Sequence, residues 1–186
     1  MRASRWRGIW LAAGLIAGLV GGGLAPAGAS VKLDSFAGSC SLQGTTTFTP
    51  PATNTLQPLT TSYDASGTCS GTLDGRQVSN AAVKMHNVGQ SDGSCPYART
   101  TSPGQGAITF ADGTVIRYTF EFTSVLTEVD LTMYGERSGS ARAHATFLTP
   151  RTPPDVALKC AGEGVAEIPM DLSLTTDSPL VSKRGK

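Results

Sequence analysis

The sequence predicts an all-β protein, either a single antiparallel β-sandwich or a small β-barrel of about 8–10 strands. Apolar and polar side chains alternate strictly in several segments between residues 106 and 148. This period of two is typical of antiparallel strands that bury one face. Turn signals containing glycine, proline or Asp-Gly separate short segments elsewhere, and no stretch after residue 30 shows helical periodicity.

Residues 1–29 have the three parts of a cleavable signal peptide. Three arginines precede an apolar stretch over residues 8–20, and no acidic residue offsets their charge. The segment ends in Ala27-Gly28-Ala29. Signal peptidase accepts small side chains at these positions, so we expect cleavage after Ala29 and a secreted, extracellular protein. The apolar stretch is shorter than the about 20 residues that a membrane span needs, so we expect no span after cleavage.

Loss of this segment would change the composition of the chain. Both tryptophans, Trp6 and Trp10, would be removed, and the formal charge of +1 would become −2 because three arginines leave with them. A slightly acidic chain lacks the basic footprint of a nucleic-acid-binding protein. The Ala-, Gly- and Arg-rich signal and the low lysine content are typical of secreted proteins from high-GC bacteria.

The rest of the chain is predicted to form one disulfide-bonded β domain over residues 30–178. Residues 179–186 contain Lys183, Arg184 and Lys186, and a basic cluster at a chain end is usually a solvated tail. We therefore expect a flexible basic tail there.

Four cysteines form an even set, which favours two disulfides in an exported protein. A zinc site is disfavoured because the chain has no closely spaced cysteine pair. Three connectivities are possible. We favour Cys40–Cys69, which neighbouring early strands could hold, and Cys95–Cys160, which would tether the loop around Cys95.

The segment from 106 to 148 is predicted to be a four-stranded meander. A three-residue loop, Ala111-Asp112-Gly113, keeps the apolar faces of its two strands together, because a register error of one residue would mix the faces. The next two hairpins follow from the same rule, the last one turning at residues 136–138. The predicted cross-strand pairs are Ile108–Ile116, Phe120–Val129, Leu131–Ala143 and Asp130–His144.

Other elements rest on weaker patterns. The further candidate strands are 31–36, 40–48, 68–73, 79–88, 156–161 and 164–175. Turns are predicted at Asp74-Gly75, Asp92-Gly93 and Gly104-Gln105-Gly106.

Few side chains are candidates for chemistry. Asp130 opposite His144 could orient a general base, with Ser138 or Ser140 as a nucleophile. The simpler interpretation is an exposed pair of opposite charges, which stabilises strand pairing by about 0.2–1 kcal/mol. On the same face Glu121 is predicted to lie opposite Glu128, either as a surface mismatch or as a weak cation site.

No cofactor motif is present, and two histidines give a metal-dependent hydrolase little material. We therefore predict neither a cofactor nor a metal site. The disulfide-tethered loop from 91 to 106 contains Tyr97, a possible contact residue, because loops often carry function.

The sequence favours a non-enzymatic secreted β domain that binds a small ligand or a macromolecular partner. A structural or cell-envelope role is the first alternative. An extracellular hydrolase that uses Asp130 and His144 is the second.

Overall fold

The computed structural model describes residues 32–148 and 153–184, with the backbone alone for residues 153–156. The predicted signal peptide at 1–29 and the last two residues lie outside the described residues. The strands are β1 Leu33–Ala52, β2 Gln57–Leu73, β3 Arg76–Ser94, β4 Tyr97–Thr100, β5 Gly104–Phe110, β6 Val115–Val125, β7 Glu128–Gly135, β8 Ser140–Phe147, β9 Val165–Thr176 and β10 Leu180–Lys183. The helix α1 is Pro153–Ala161.

The ten strands form one antiparallel sheet that closes into a ring, which confirms the all-β prediction. Hydrogen-bonded neighbours follow the order β10-β1-β2-β3-β4-β6-β7-β8-β9, and β9 pairs back to β1. The ring is not a regular barrel. The short strands β4 and β5 pair in succession between β3 and β6, and β9 and β10 pair with successive parts of β1.

Alternate side chains of every long strand point into the ring and form its core. In β6 the inward positions run from Ile116 to Ser124, and the residues between them are exposed. One large apolar cluster fills most of the interior. A second, smaller cluster lies at the end of the ring where β8, α1 and β9 are connected.

We call this end the helix end. It carries the 53–56 loop, the 95–96 turn, the 126–127 turn and α1. The opposite end carries the turns at 74–75, 111–114 and 136–139.

The meander from 106 to 148 is confirmed, but one of its registers was predicted wrongly. Ile108 lies opposite Ile116 across the predicted loop, where Gly113 has a φ of 87°. Phe120, however, lies opposite Met133 and not opposite Val129. The difference arises because β6 continues to Val125 and turns at Leu126-Thr127, which carry no glycine or asparagine turn signal. The shift is an even number of residues, so the buried face is unchanged.

Two predicted turns are parts of strands. Asp92-Gly93 lies within β3, and the chain turns instead at Cys95-Pro96. A Cβ on Gly93 would collide with Leu59 and Ala98, so this glycine permits close packing inside the ring. Gly104-Gln105-Gly106 begins β5, where the glycines lie beneath aromatic rings of β6.

The segment predicted as a strand over 156–161 lies in helix α1. Two prolines stand at the start of the helix, where their fixed φ suits the first turn. At the other end the Gly164 N–H donates to the Lys159 carbonyl, and Gly164 has a φ of 87°, which is the left-handed conformation typical of a helix end.

The chain end differs from the predicted flexible tail. Residues 180–183 form β10 and pair with the start of β1. Arg184 donates hydrogen bonds to the buried carboxylate of Asp34 and to that of Asp74. A buried carboxylate needs such a partner, so the end of the chain is held against the ring.

Among the described residues, no helix is long and apolar enough to cross a membrane.

Candidate functional site

An apolar cavity with a volume of about 500 Å³ lies at the helix end. We call it the mouth cavity. Its apolar lining comes from strands that are distant in sequence: Phe48 and Ala52 from β1, Ala98 from β4, Phe147 from β8, and Val165 and Ile168 from β9. The volume is within the range of sites that hold small organic ligands, about 300–1,000 Å³.

The Cys95–Cys160 pair forms part of this wall. The two cysteines lie at disulfide distance, with their Cα atoms 6.0 Å apart. Around the bridge, the Cys95 N–H donates to the Thr53 carbonyl at 2.7 Å, and the Asn54 N–H donates to the Cys160 carbonyl at 3.0 Å. The bridge and these bonds therefore join three connections around the cavity: the 53–56 loop, the 95–96 turn and α1.

The other cysteine pair lies away from the mouth cavity. Cys40 and Cys69 are directly opposite each other on β1 and β2, at disulfide distance with Cα atoms 4.1 Å apart. The structure thus brings together the two pairs that the sequence favoured.

A second, much smaller cavity of about 40 Å³ lies deeper in the ring. We call it the deep cavity. Phe48, Ser124 and Phe147 line both cavities, so the two adjoin each other. A space of this size holds about one water molecule or one polar atom of a ligand.

Polar side chains converge on the deep cavity. Those in its lining are Thr46, Thr61, Tyr63, Asn87 and Ser124. In the part of the chain that the structure describes, neither cavity has a charged side chain in its lining. The combination of an apolar wall and a few uncharged polar groups is typical of sites for small ligands.

Asn87 is held in place by Tyr118. The Tyr118 hydroxyl donates to Asn87 Oδ1 at 2.6 Å, and both side chains are buried. Asn87 Nδ2 has only a weak contact with the Met85 sulfur at 3.7 Å, and a thioether is a poor acceptor. Burial raises the pKa of Tyr118 far above its usual value of 10.0, so the hydroxyl remains a neutral donor to Asn87 Oδ1.

Ser124 and Tyr63 complete the polar lining. The Tyr63 hydroxyl donates to the Met170 carbonyl at 3.3 Å. Burial, and secondly the nearby Asp171 carboxylate, raise the pKa of Tyr63 well above 10.0. Ser124 is 5% exposed, and within the described residues no group is hydrogen-bonded to its hydroxyl.

These interior polar residues were not identified from the sequence. The sequence did contain a signal for them. Ser124 stands at one of the alternating inward positions of β6, and Asn87 stands at one of those of β3. A polar residue at a core position of an alternating strand indicates either an internal hydrogen bond or a cavity.

The predicted pair of Asp130 and His144 forms on the outer face of the sheet. The two residues are opposite each other, and His144 Nδ1 lies 3.0 Å from Asp130 Oδ1. Glu128 lies on the other side of the imidazole, with its Oε2 2.8 Å from His144 Nε2. The imidazole therefore lies between two carboxylates, and all three side chains are at least half exposed.

The predicted nucleophiles are not brought to this pair. Ser140 stands four residues before His144 on the same strand, a separation of about 13 Å at the usual strand rise, and Ser138 lies farther along, at the turn. In the described part of the chain, no group of three or more His, Cys, Asp or Glu side chains is arranged to hold a metal ion.

The predicted pair of Glu121 and Glu128 does not form. Glu121 lies opposite Thr132 and not opposite Glu128, because the β6–β7 register differs from the predicted one.

The predicted contact residue Tyr97 begins β4 and is 37% exposed. It lies at the helix end, where most of the exposed large apolar side chains are found: Leu56, Tyr97, Val125, Leu126, Leu148 and Leu158.

The titration of His144 provides a direct test of the outer cluster. A hydrogen bond to Asp130, assisted by the charges of Asp130 and Glu128, raises its pKa above 6.5. The stabilisation from this cluster is therefore complete below the unfolded pKa and is lost as the pH rises through the raised one. We expect an NMR titration of the imidazole to show the raised pKa, and Asp130→Asn to lower it.

Asp177→Asn is the matched control, because Asp177 pairs with Arg142 and not with the imidazole. An unchanged His144 pKa in Asp130→Asn, or an equal fall in Asp177→Asn, would contradict the assignment.

Comparison of the chain with protein-family models, with curated proteins and with solved structures found no match in any of the three.

Proposed function

We propose that the protein is a secreted binding module that holds a small, largely apolar and uncharged molecule in the mouth cavity. The observation that carries this proposal is the cavity of about 500 Å³ with its apolar lining at the helix end. Burial of apolar ligand surface there would contribute about 25 cal/mol for each Å² removed from water.

The chemistry of the lining favours an uncharged ligand. A buried carboxylate or ammonium group would need a partner of opposite charge, and the described lining residues offer none. The two disulfide-distance pairs are compatible with an oxidising, extracellular setting, which is where the predicted signal peptide would direct the chain.

A macromolecular partner is the second candidate. The exposed apolar side chains at the helix end, such as Leu126 at 69% and Leu158 at 71% exposure, favour contact with another apolar surface. The outer Asp130–His144 pair gives less support to a hydrolase, since the serines predicted as its nucleophiles lie away from His144.

Binding can be tested with N-phenyl-1-naphthylamine, an uncharged apolar dye whose fluorescence increases in apolar sites. We expect the purified protein to bind the dye saturably. Ala98→Phe should weaken this binding at least about tenfold, because the added ring would occupy the cavity that Ala98 lines.

Ala107→Phe is the matched control, since Ala107 lies on β5 and contributes to neither cavity. The absence of saturable dye binding, or equal affinity in Ala98→Phe and the native protein, would rule out the mouth cavity as the site.

A further inference from the structure

The lining of the deep cavity indicates a chemical group that the proposed ligand would carry. It adjoins the mouth cavity, it has space for about one polar atom, and two of the side chains in its lining have unused hydrogen-bonding capacity. These side chains are Asn87, which is 3% exposed, and Ser124, which is 5% exposed.

Both side chains can donate to the same small space. Asn87 uses Oδ1 to accept from Tyr118, so its Nδ2 remains a donor with only a weak sulfur contact. Ser124 comes from β6, on another part of the ring, and its hydroxyl can turn towards any acceptor. A thioether is a weak acceptor, so an oxygen atom in the deep cavity would offer both side chains a stronger one.

We infer that the deep cavity recognises one uncharged oxygen atom, a ketone or hydroxyl oxygen, at the end of an otherwise apolar ligand. The oxygen accepts hydrogen bonds from Asn87 Nδ2 and Ser124 Oγ, and the apolar body occupies the mouth cavity. This inference rests on the proposed function, because it assigns the orientation of the ligand in the same site.

A carboxylate at this position would not be equivalent to a ketone. Its charge would be buried beside Tyr63, whose hydroxyl already donates to a backbone carbonyl, and no described cationic side chain lines either cavity. The site therefore discriminates by charge as well as by the presence of oxygen.

The test is displacement of N-phenyl-1-naphthylamine by three compounds with the same chain length: 2-decanone, decane and decanoate. We expect 2-decanone to compete about three- to tenfold better than decane, the usual value of one or two good hydrogen bonds. Decanoate should be the weakest of the three. Ser124→Ala should remove most of the difference between 2-decanone and decane.

Two further variants complete the experiment. Asn87→Leu removes the N–H donors and cannot donate a hydrogen bond to the ligand, so it should also lose the preference for 2-decanone. Ser182→Ala is the matched control, because the Ser182 hydroxyl is buried and donates to the Val115 carbonyl at the opposite end of the ring. It should keep the preference.

The outcomes separate the two proposals. If neither the dye nor any of the compounds binds, the proposed function fails. If the dye and decane bind but 2-decanone has no advantage, or its advantage survives in both Ser124→Ala and Asn87→Leu, the oxygen site is wrong and the apolar cavity stands.

Discussion

Replacing both Cys95 and Cys160 by alanine is expected to lower the free energy of unfolding by about 4 kcal/mol. The bridge closes a loop over a sequence separation of 65 residues, and the loss of a constraint of this length stabilises the unfolded chain by that amount. The same variant should bind the apolar dye much more weakly, because the bridge joins α1 to the 95–96 turn in the wall of the mouth cavity. Chemical denaturation and dye titration measure the two effects.

The Cys40→Ala/Cys69→Ala double variant is the matched control. Its bridge spans a separation of 29 residues, so we expect a loss of about 3.5 kcal/mol. Dye affinity should remain close to that of the native protein at temperatures where the variant is folded. Equal losses of dye binding in the two double variants would show that the Cys95–Cys160 bridge has no particular connection with the cavity.

Gly106→Ala is expected to lower the free energy of unfolding by about 3 kcal/mol, although alanine usually suits a strand better than glycine. Gly106 lies between its cross-strand partners Asn87 and Tyr118. A Cβ at this position would collide with Asn87 Oδ1 and with the Tyr118 ring, which are joined by the 2.6 Å hydrogen bond. The variant must therefore either break that buried bond or move the ring.

Ala107→Val is the control for this prediction, since it enlarges the next residue on the same strand and is expected to change stability by less than about 0.5 kcal/mol. Thermal unfolding followed by circular dichroism is sufficient to compare the two variants. A native-like melting temperature for Gly106→Ala would mean that the Asn87–Tyr118 pair can move without cost.

The faces of the strands were predictable from the sequence, but their exact pairing was less so. Alternation in β6, β7 and β8 identified the buried side chains, because a period of two leaves little choice of face. The register between β6 and β7 was missed, since Leu126 takes a left-handed conformation, φ 56°, that its sequence does not indicate. Helix α1 was missed because its segment is short and its packing is tertiary.

The cavities could not be predicted at all from local patterns. Their linings bring Phe48 together with Phe147 and Ile168, which are neighbours only because β9 pairs back to β1. Asn87 and Ser124 carried a recognisable signal as polar residues at inward positions. Whether they form internal hydrogen bonds or line a cavity depends on the space between them, which only the closed ring defines.

The closure of the ring also limits how other molecules can approach the protein. In an open sheet the outermost strands leave rows of unpaired N–H and C=O groups, which can recruit an extended peptide or a second copy of the chain. In the described residues each long strand of the ring has a neighbour on both sides for most of its length. Recognition by added strands is therefore largely unavailable, and a partner would have to contact side chains on the outer surface or at the ends of the ring.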